Sequence, residues 1–310
     1  MCTECGCSGN AITALAASET TAPETSQPFA ERVSDKLQHG IQVLIGANRK
    51  PPRRFKSLLH GTWFGHPLHP VLTDIPIGAW LLTALFDILW LISPINLSWA
   101  ARAAEVTVSV GILGAIGAAI TGFADWSDSY GAERRVGLNH ALFNSLALVL
   151  YIVSLILRLN QGAGDSILAA TIGFIGALCM TYAGYLGGDM VFVKGTNVNH
   201  TAWEAANDQF EAVMPADQIE EQKLYRVIAS GVPVVLMRQG QQYYAISATC
   251  SHAGGPLDEG TLEGDVVQCP WHGSRFCMRD GRVLTGPATV PAPKYEVRVR
   301  NGQVEIRRST

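Results

Sequence analysis

Four residues near the end of the chain have the types and spacing of metal ligands. Cys250 and His252 form a C-x-H step, and Cys269 and His272 form a C-x-x-H step sixteen residues further on. Each step offers one thiolate and one imidazole, on loops rich in Gly, Pro and Ser. Zinc takes the same donors, but its sites usually pair Cys with Cys and His with His along the chain. One donor of each kind per loop suits a 2Fe–2S cluster whose irons are held by two cysteines and by two histidines. Thiolates neutralise ferric charge. Neutral imidazoles leave their iron more electron-poor, so that iron takes the electron.

The surrounding residues, Cys-Ser-His-Ala-Gly-Gly-Pro-Leu from Cys250 and Cys-Pro-Trp-His-Gly-Ser-Arg-Phe from Cys269, closely resemble the two cluster-binding loops of Rieske iron–sulfur proteins. The resemblance covers roughly the last hundred residues. It implies that Cys250 and Cys269 hold the ferric iron and that His252 and His272 hold the redox-active one. It also implies that the outer nitrogen of each histidine reaches solvent and couples electron to proton. High-potential members of that family clamp the two loops with a disulfide, where this chain has Gly255 and Trp271. Ser274 matches a serine that donates a hydrogen bond to cluster sulfur, whereas Phe276 replaces a tyrosine hydroxyl. These departures imply the ferredoxin-like branch and an intermediate or low potential.

What must position these residues is read from the rest of the 310-residue chain. Hydrophobic residues make up 48% and charged residues 16%, a mix shifted towards membrane proteins. The net charge of −3 gives no global basic signal for nucleic acid. Residues 1–28 read as a disordered tail, in which Cys2, Cys5 and Cys7 could capture a soft metal or simply be exposed thiols. Apolar residues at Val33, Leu37, Ile41, Leu44 and Ile45 predict an amphipathic helix. The basic run from Arg49 to Lys56 reads as a topology signal or lipid-headgroup contact. Four apolar spans at about 71–92, 103–124, 139–159 and 166–187 each approach the ~20 residues that cross a bilayer.

The expected organisation is therefore multi-domain: a tail at 1–28, an α-helical four-helix transmembrane bundle in 29–195, a linker at 196–209, and an all-β Rieske iron–sulfur domain in 210–310. Gly111, Gly114, Gly117 and Gly122 permit close helix approach in the second span. Arg134 and Arg135 in the loop between spans two and three, with the basic leader, predict a multi-pass inner-membrane protein with both termini cytoplasmic. Arg102 and Arg158 fall at the edges of the opposite loops. Runs such as Val232–Arg238, Tyr243–Ile246 and Val266–Gln268 alternate as strands. Cys179 and Cys277 read as buried free thiols.

The segments around His66-Pro-Leu-His69-Pro, Asn139-His140 and Tyr185-Leu-Gly-Gly-Asp189 resemble a family of small four-span membrane proteins of undefined function. His66, His69, Asp74, Asp125, His140 and Asp189 are expected at the cytoplasmic helix ends. There they could hold a haem through His66 or His69 with His140, hold a quinone headgroup, or simply be satisfied interfacial groups. Asp87 lies deeper, as a functional carboxylate or one protonated and paired in the bundle. Two functions follow. The first is an electron carrier between a soluble reductase and an oxidising partner protein, anchored in lipid. The second is an oxidoreductase exchanging electrons between the cluster and a quinone or haem held by the helices.

Overall fold

The computed structural model describes residues 29–45, 54–160 and 167–308. Two short helices, α1 (Phe29–Ile45) and α2 (Arg54–His60), precede four long ones: α3 (Leu68–Ile92), α4 (Ser98–Trp126), α5 (Gly131–Asn160) and α6 (Ile167–Gly188). Each long helix is long and apolar enough to cross a membrane. At 1.5 Å per residue, the 25 residues of α3 span roughly 37 Å, against a hydrocarbon core of about 30 Å. The first three expected spans lie inside α3, α4 and α5, and the fourth coincides with α6 from Ile167 onward.

Two positions in the bundle depart from what the sequence suggested. Arg158 is inside α5 and buried, where it was expected at a loop edge. Its guanidinium meets the Asp87 carboxylate two-to-two, at 2.8 and 2.6 Å. Asp87 is thus paired within the bundle, with Arg158 as its partner. The pair is also part of a pattern absent from the expectations. Asp87 and Arg158 lie 71 residues apart, and the same interval separates His69 from His140, Trp80 from Tyr151, and Thr83 from Ser154. Each of these pairs meets or reaches equivalent neighbours. Trp80 stacks on Tyr151 with centroids 4.0 Å apart. Thr83 bonds Thr107 of α4 at 2.8 Å, and Ser154 bonds the Ala169 carbonyl of α6 at 2.7 Å. Gly111 of α4 receives the Trp80 ring as Gly176 of α6 receives Tyr151. The α3–α4 and α5–α6 hairpins are an internal repeat packed face to face.

α1 docks by polar groups as well as through Ile41 and Ile45, which pack with Leu59 and Ala124. Gln38 donates to the carbonyls of Trp126 (3.0 Å) and Ser129 (2.7 Å), and Gln42 to Ser127 (2.7 Å), satisfying carbonyls that the end of α4 leaves free. Val33, Leu37 and Leu44 stay exposed while Ile45 is buried. Arg134 pairs with Asp35, and Arg135 faces Glu31 at 3.7 Å, so α1 offsets part of the basic loop. Lys56, expected to face lipid or water, is instead buried and paired with Asp128 at 2.8 Å. Arg49 to Arg53 and Cys2, Cys5 and Cys7 lie outside the described residues.

Beyond α6 the chain makes a π turn at Asp189–Val193 and enters two sheets. One has six strands in the order β1 (Asn207–Pro215), β10 (Gln303–Arg308), β9 (Lys294–Arg300), β4 (Gln242–Ser247), β3 (Val232–Gln239), β2 (Leu224–Ala229). The smaller sheet runs β5 (Thr261–Glu263), β6 (Val266–Gln268), β7 (Arg275–Cys277), β8 (Val283–Thr285). A core of Val235, Ile246, Leu257, Val267, Phe276 and Met278 joins them. All four strands of this sheet are three residues long, and only β6 among them was read beforehand.

The buried ion pair makes a specific demand on the bundle. Asp87→Ala should cost about 3–5 kcal/mol by stranding the Arg158 charge. The double variant Asp87→Leu/Arg158→Leu should recover most of that loss. Unfolding midpoints in detergent test both; equal loss in the single and double variants would contradict the account.

Candidate metal centre

The two ligand loops are built alike. Cys250 sits between β4 and β5, and Cys269 between β6 and β7. In the first loop Cys250 N–H donates to the Gly255 carbonyl at 2.8 Å and Gly254 N–H to the Cys250 carbonyl at 2.9 Å. In the second, Cys269 pairs with Ser274 at 2.8 Å and Gly273 with Cys269 at 3.2 Å. Each turn closes through a glycine in the left-handed region, Gly254 at φ 77° and Gly273 at φ 73°, where a side chain would be strained. The loops also touch. A Cβ on Gly255 would come within 2.8 Å of the Cys269 sulfur and 3.1 Å of the Trp271 ring. Trp271 therefore closes over Gly255.

The four candidate donors come together as two pairs. Cys250 and Cys269 are 1% and 2% exposed, and their thiols share a hydrogen bond. That bond, with burial, pushes Cys250 well above the usual thiol range; the same bond pulls Cys269 below it. A second thiolate here needs a cation beside it. The His252 and His272 rings lie 4.9 Å apart, nearly perpendicular at 83°. Burial, then the neighbouring His272, push His252 down to about 3, so its ring is neutral. Nδ1 of both histidines is buried without a hydrogen-bond partner. Two thiols and two unpartnered imidazole nitrogens, in separate pairs, fit a two-iron cluster. Among the described residues no three His, Cys, Asp or Glu side chains gather as a site for one metal ion.

The outer edges of the imidazoles do not open to solvent as expected. They abut the ends of α4 and α5 and the segment after α6. Nε2 of His252 is 2.9 Å from Oδ1 of Asn197. His272 is 8% exposed, with Nε2 3.5 Å from a Glu133 carboxylate oxygen and its ring tilted over Tyr130 at 5.0 Å. Thr196 donates to the other Glu133 oxygen at 3.0 Å. His200 N–H donates to the Ser251 carbonyl at 3.2 Å. Residues 196–209, read as a linker, thus hold the first loop. A cleft of about 280 Å³ remains beside His272, lined among others by Tyr130, Glu133, Lys194, His200 and Trp271.

Behind Asn197 is a buried charged cluster. Asn197 Nδ2 donates to Asp125 at 3.4 Å, and Asp125 bonds His60 Nδ1 at 2.7 Å. His60 also faces Asp128 at 3.2 Å, and Asp128 pairs with Lys56. Burial alone would lower the His60 pKa, but hydrogen bonds and charge from Asp125 and Asp128 more than offset it, raising it to about 9. Burial would raise Asp128; the His60 hydrogen bond and the Lys56 charge hold it below its ordinary value. His60 packs on Gly286, and Thr62 donates to the Ala288 carbonyl at 3.4 Å, so α2 supports the β domain.

The remaining expected residues divide. His69 and His140 come together, rings 6.2 Å apart, each bonding a carbonyl of the helix beside it (Ala118 and Ala183, both 2.8 Å). His66 is left exposed against Phe64, and Asp74 is exposed too. Asp125 joins His60, and Asp189 pairs with Lys194. Ser274 is buried and accepts the Ala288 N–H at 2.9 Å. Phe276 and the free thiol of Cys277 are buried, while Cys179 is half-buried. The sequence reading missed Asn197, Tyr130, Glu133 and His60. Only the Lys194-Gly-Thr-Asn197 turn carried any local signal.

Residues 209–296 match the family described as Rieske [2Fe-2S] domain, and residues 65–200 match that described as Predicted membrane protein (DUF2231). Ferredoxin CarAc of Metapseudomonas resinovorans is 39% identical over 95 residues, covering 30% of this chain and 89% of that protein. The 3-phenylpropionate/cinnamic acid dioxygenase ferredoxin subunit of Escherichia coli (strain K12) is 38% identical over 93 residues, covering 30% and 87%. The solved ferredoxin of carbazole 1,9a-dioxygenase from Nocardioides aromaticivorans IC177 is 29% identical, covers 33% of this chain and all of its own, and has a TM-score of 0.32.

The His60 ion cluster sets a pH dependence. Its pKa is raised on folding from 6.5 to about 9, so its stabilisation is complete below about pH 6.5 and is lost as pH rises through about 9. Urea midpoints measured across that window should fall, and His60→Gln should flatten the slope. An unchanged slope in the variant would refute the assignment.

Proposed function

The chain belongs to the Rieske [2Fe-2S] family, and on that premise we propose that it is a membrane-anchored carrier of single electrons. Its four apolar helices would hold the cluster-binding domain at the cytoplasmic face of the inner membrane. Cys250 and Cys269 hold one iron, and His252 and His272 the other. The observation that carries this is the donor set itself: two buried thiols and two buried, unpartnered Nδ1 atoms on matched loops. When bound, a Rieske-type cluster supplies one-electron chemistry at the imidazole-held iron.

The chain's own residues do the rest. Trp271 over Gly255 fixes the distance between the loops without a covalent clamp. Ser274 takes the Ala288 N–H on its oxygen, leaving its own hydroxyl hydrogen to donate towards the ligand loops. Phe276 and Leu257 exclude water beneath them. Trp271, half-exposed beside the cleft at His272, gives a partner protein its approach to the ligand loops. The relatives are named as ferredoxins, one of them as a dioxygenase ferredoxin subunit. Those names favour an oxygenase-like protein as acceptor; the donor would be a soluble reductase. Arg134 and Arg135 at the start of α5 support the cytoplasmic orientation.

His272→Ala and Cys269→Ser should each abolish the paramagnetic resonance signal of the reduced protein and leave helical content by circular dichroism unchanged. A signal surviving both substitutions would sink the ligand assignment.

A second reading, electron exchange between the cluster and a haem or quinone held by the helices, draws on the His69–His140 contact. Their Nδ1 atoms donate to carbonyls, which leaves each ring's lone pair on Nε2; in His140 that lone pair accepts from Asn144 at 3.1 Å, a bond that ligation would have to replace. On this reading the purified protein has a Soret band that His140→Ala removes. A spectrum with cluster absorption alone would eliminate the haem.

A further inference from the structure

We propose that Asn197 is a positioning residue that fixes the protonation pattern of His252 and lowers the reduction potential of the centre, tying it to the helical domain. This rests on the reading of His252 as an iron ligand. Asn197 is one of the few described non-glycine residues with a left-handed backbone, at φ 60°. Asparagine tolerates that conformation better than most side chains. Its carboxamide lies between two groups of opposite need. Oδ1 is 2.9 Å from Nε2 of His252, and Nδ2 is 3.4 Å from Oδ2 of Asp125.

The orientation of this amide is dictated by its neighbours. Oδ1 of Asp125 already takes the bond from His60 at 2.7 Å, and Oδ2, the oxygen facing Asn197, is there as an acceptor. The amide NH2 must therefore face Asp125, which turns the amide oxygen to His252. That oxygen also only accepts, so Nε2 of His252 must carry the ring proton. The lone pair is left on Nδ1, which is buried and has no partner. Asn197 thereby selects the tautomer in which Nδ1 can ligate.

The same bond tunes the centre. A ligating imidazole that donates its outer N–H to an acceptor is a more basic ligand. Greater donation stabilises the oxidised iron more than the reduced iron and lowers the potential. The acceptor is not a mobile water. It is anchored through Asp125 and His60 to the end of the helical bundle, so the potential depends on docking of the two domains. A bond of ordinary strength corresponds to roughly a tenfold change in equilibrium constant, which for one electron is 59 mV.

Two variants of the full-length, cluster-loaded protein test this by redox titration in detergent. Asn197→Gly keeps the left-handed backbone and deletes only the carboxamide. Its potential should rise by about the tenfold equivalent. Asn197→Asp keeps an acceptor at His252 and adds charge, so its potential should fall. Opposite shifts are something a merely structural role would not produce. Unchanged potentials, or shifts of the same sign, overturn the proposal. Should Asn197→Gly lose its cluster, Asn197→Asp decides alone and must lower the potential. Pulsed paramagnetic resonance of the unaltered protein separates the two layers. Missing imidazole-nitrogen couplings would defeat the ligand reading, whereas couplings present with unmoved potentials would defeat only the role of Asn197.

Discussion

Two imidazole nitrogens and two thiols, buried without partners adequate to them, are the constraint around which the β domain is arranged. Burying a polar nitrogen with no hydrogen bond is costly, and two close thiols cannot both ionise unaided. The fold accepts this because the loops are over-determined by other bonds. Paired turns through Gly254 and Gly273, the Trp271–Gly255 contact and the core beneath Phe276 hold these four side chains in place. On the proposed ligand assignment, the stability withheld there is returned when the cluster binds.

The second feature is where this donor set points. Its imidazole edge faces the protein's own helices, through Asn197, Glu133 and Tyr130, rather than open water. The end of the helical domain therefore supplies the surroundings of the His252 and His272 edge, including a buried array of Lys56, His60, Asp125 and Asp128. Such an array is tolerated because every charge in it has a counter-charge within hydrogen-bond or ion-pair range. What remains open is the cleft beside His272, which concentrates any approach from outside at one flank.

Inside the bundle, the repeat of α3–α4 in α5–α6 explains why one helix pair meets the other with such matched chemistry. Equivalent positions face each other, so aromatic meets aromatic at Trp80 and Tyr151. The one place where the two copies carry opposite charge becomes an ion pair, Asp87 with Arg158. In apolar surroundings such a pair adds little net stability over well-packed carbon. It does penalise any register in which the two helices slide past each other.

The donor types, their spacing and the matched glycine-rich loops were all legible in the chain, as were four apolar spans and several strands. These are local properties: adjacent residues decide whether a segment is apolar, turns, or carries two ligands in one loop. Short strands such as β7 and β8 were not legible, because three residues carry too little pattern to separate a strand from the turns around it, and β6 of the same length was read only for its paired valines. Nor was the fate of the charged groups. Lys56 read as surface charge and Arg158 as a loop edge, yet both are buried against carboxylates distant in sequence. The sequence by itself determined which metal chemistry the protein can hold. Only the tertiary structure decided what touches the imidazoles and which buried charges pair, because those choices join residues 55 and 71 positions apart through helix packing that no local pattern encodes.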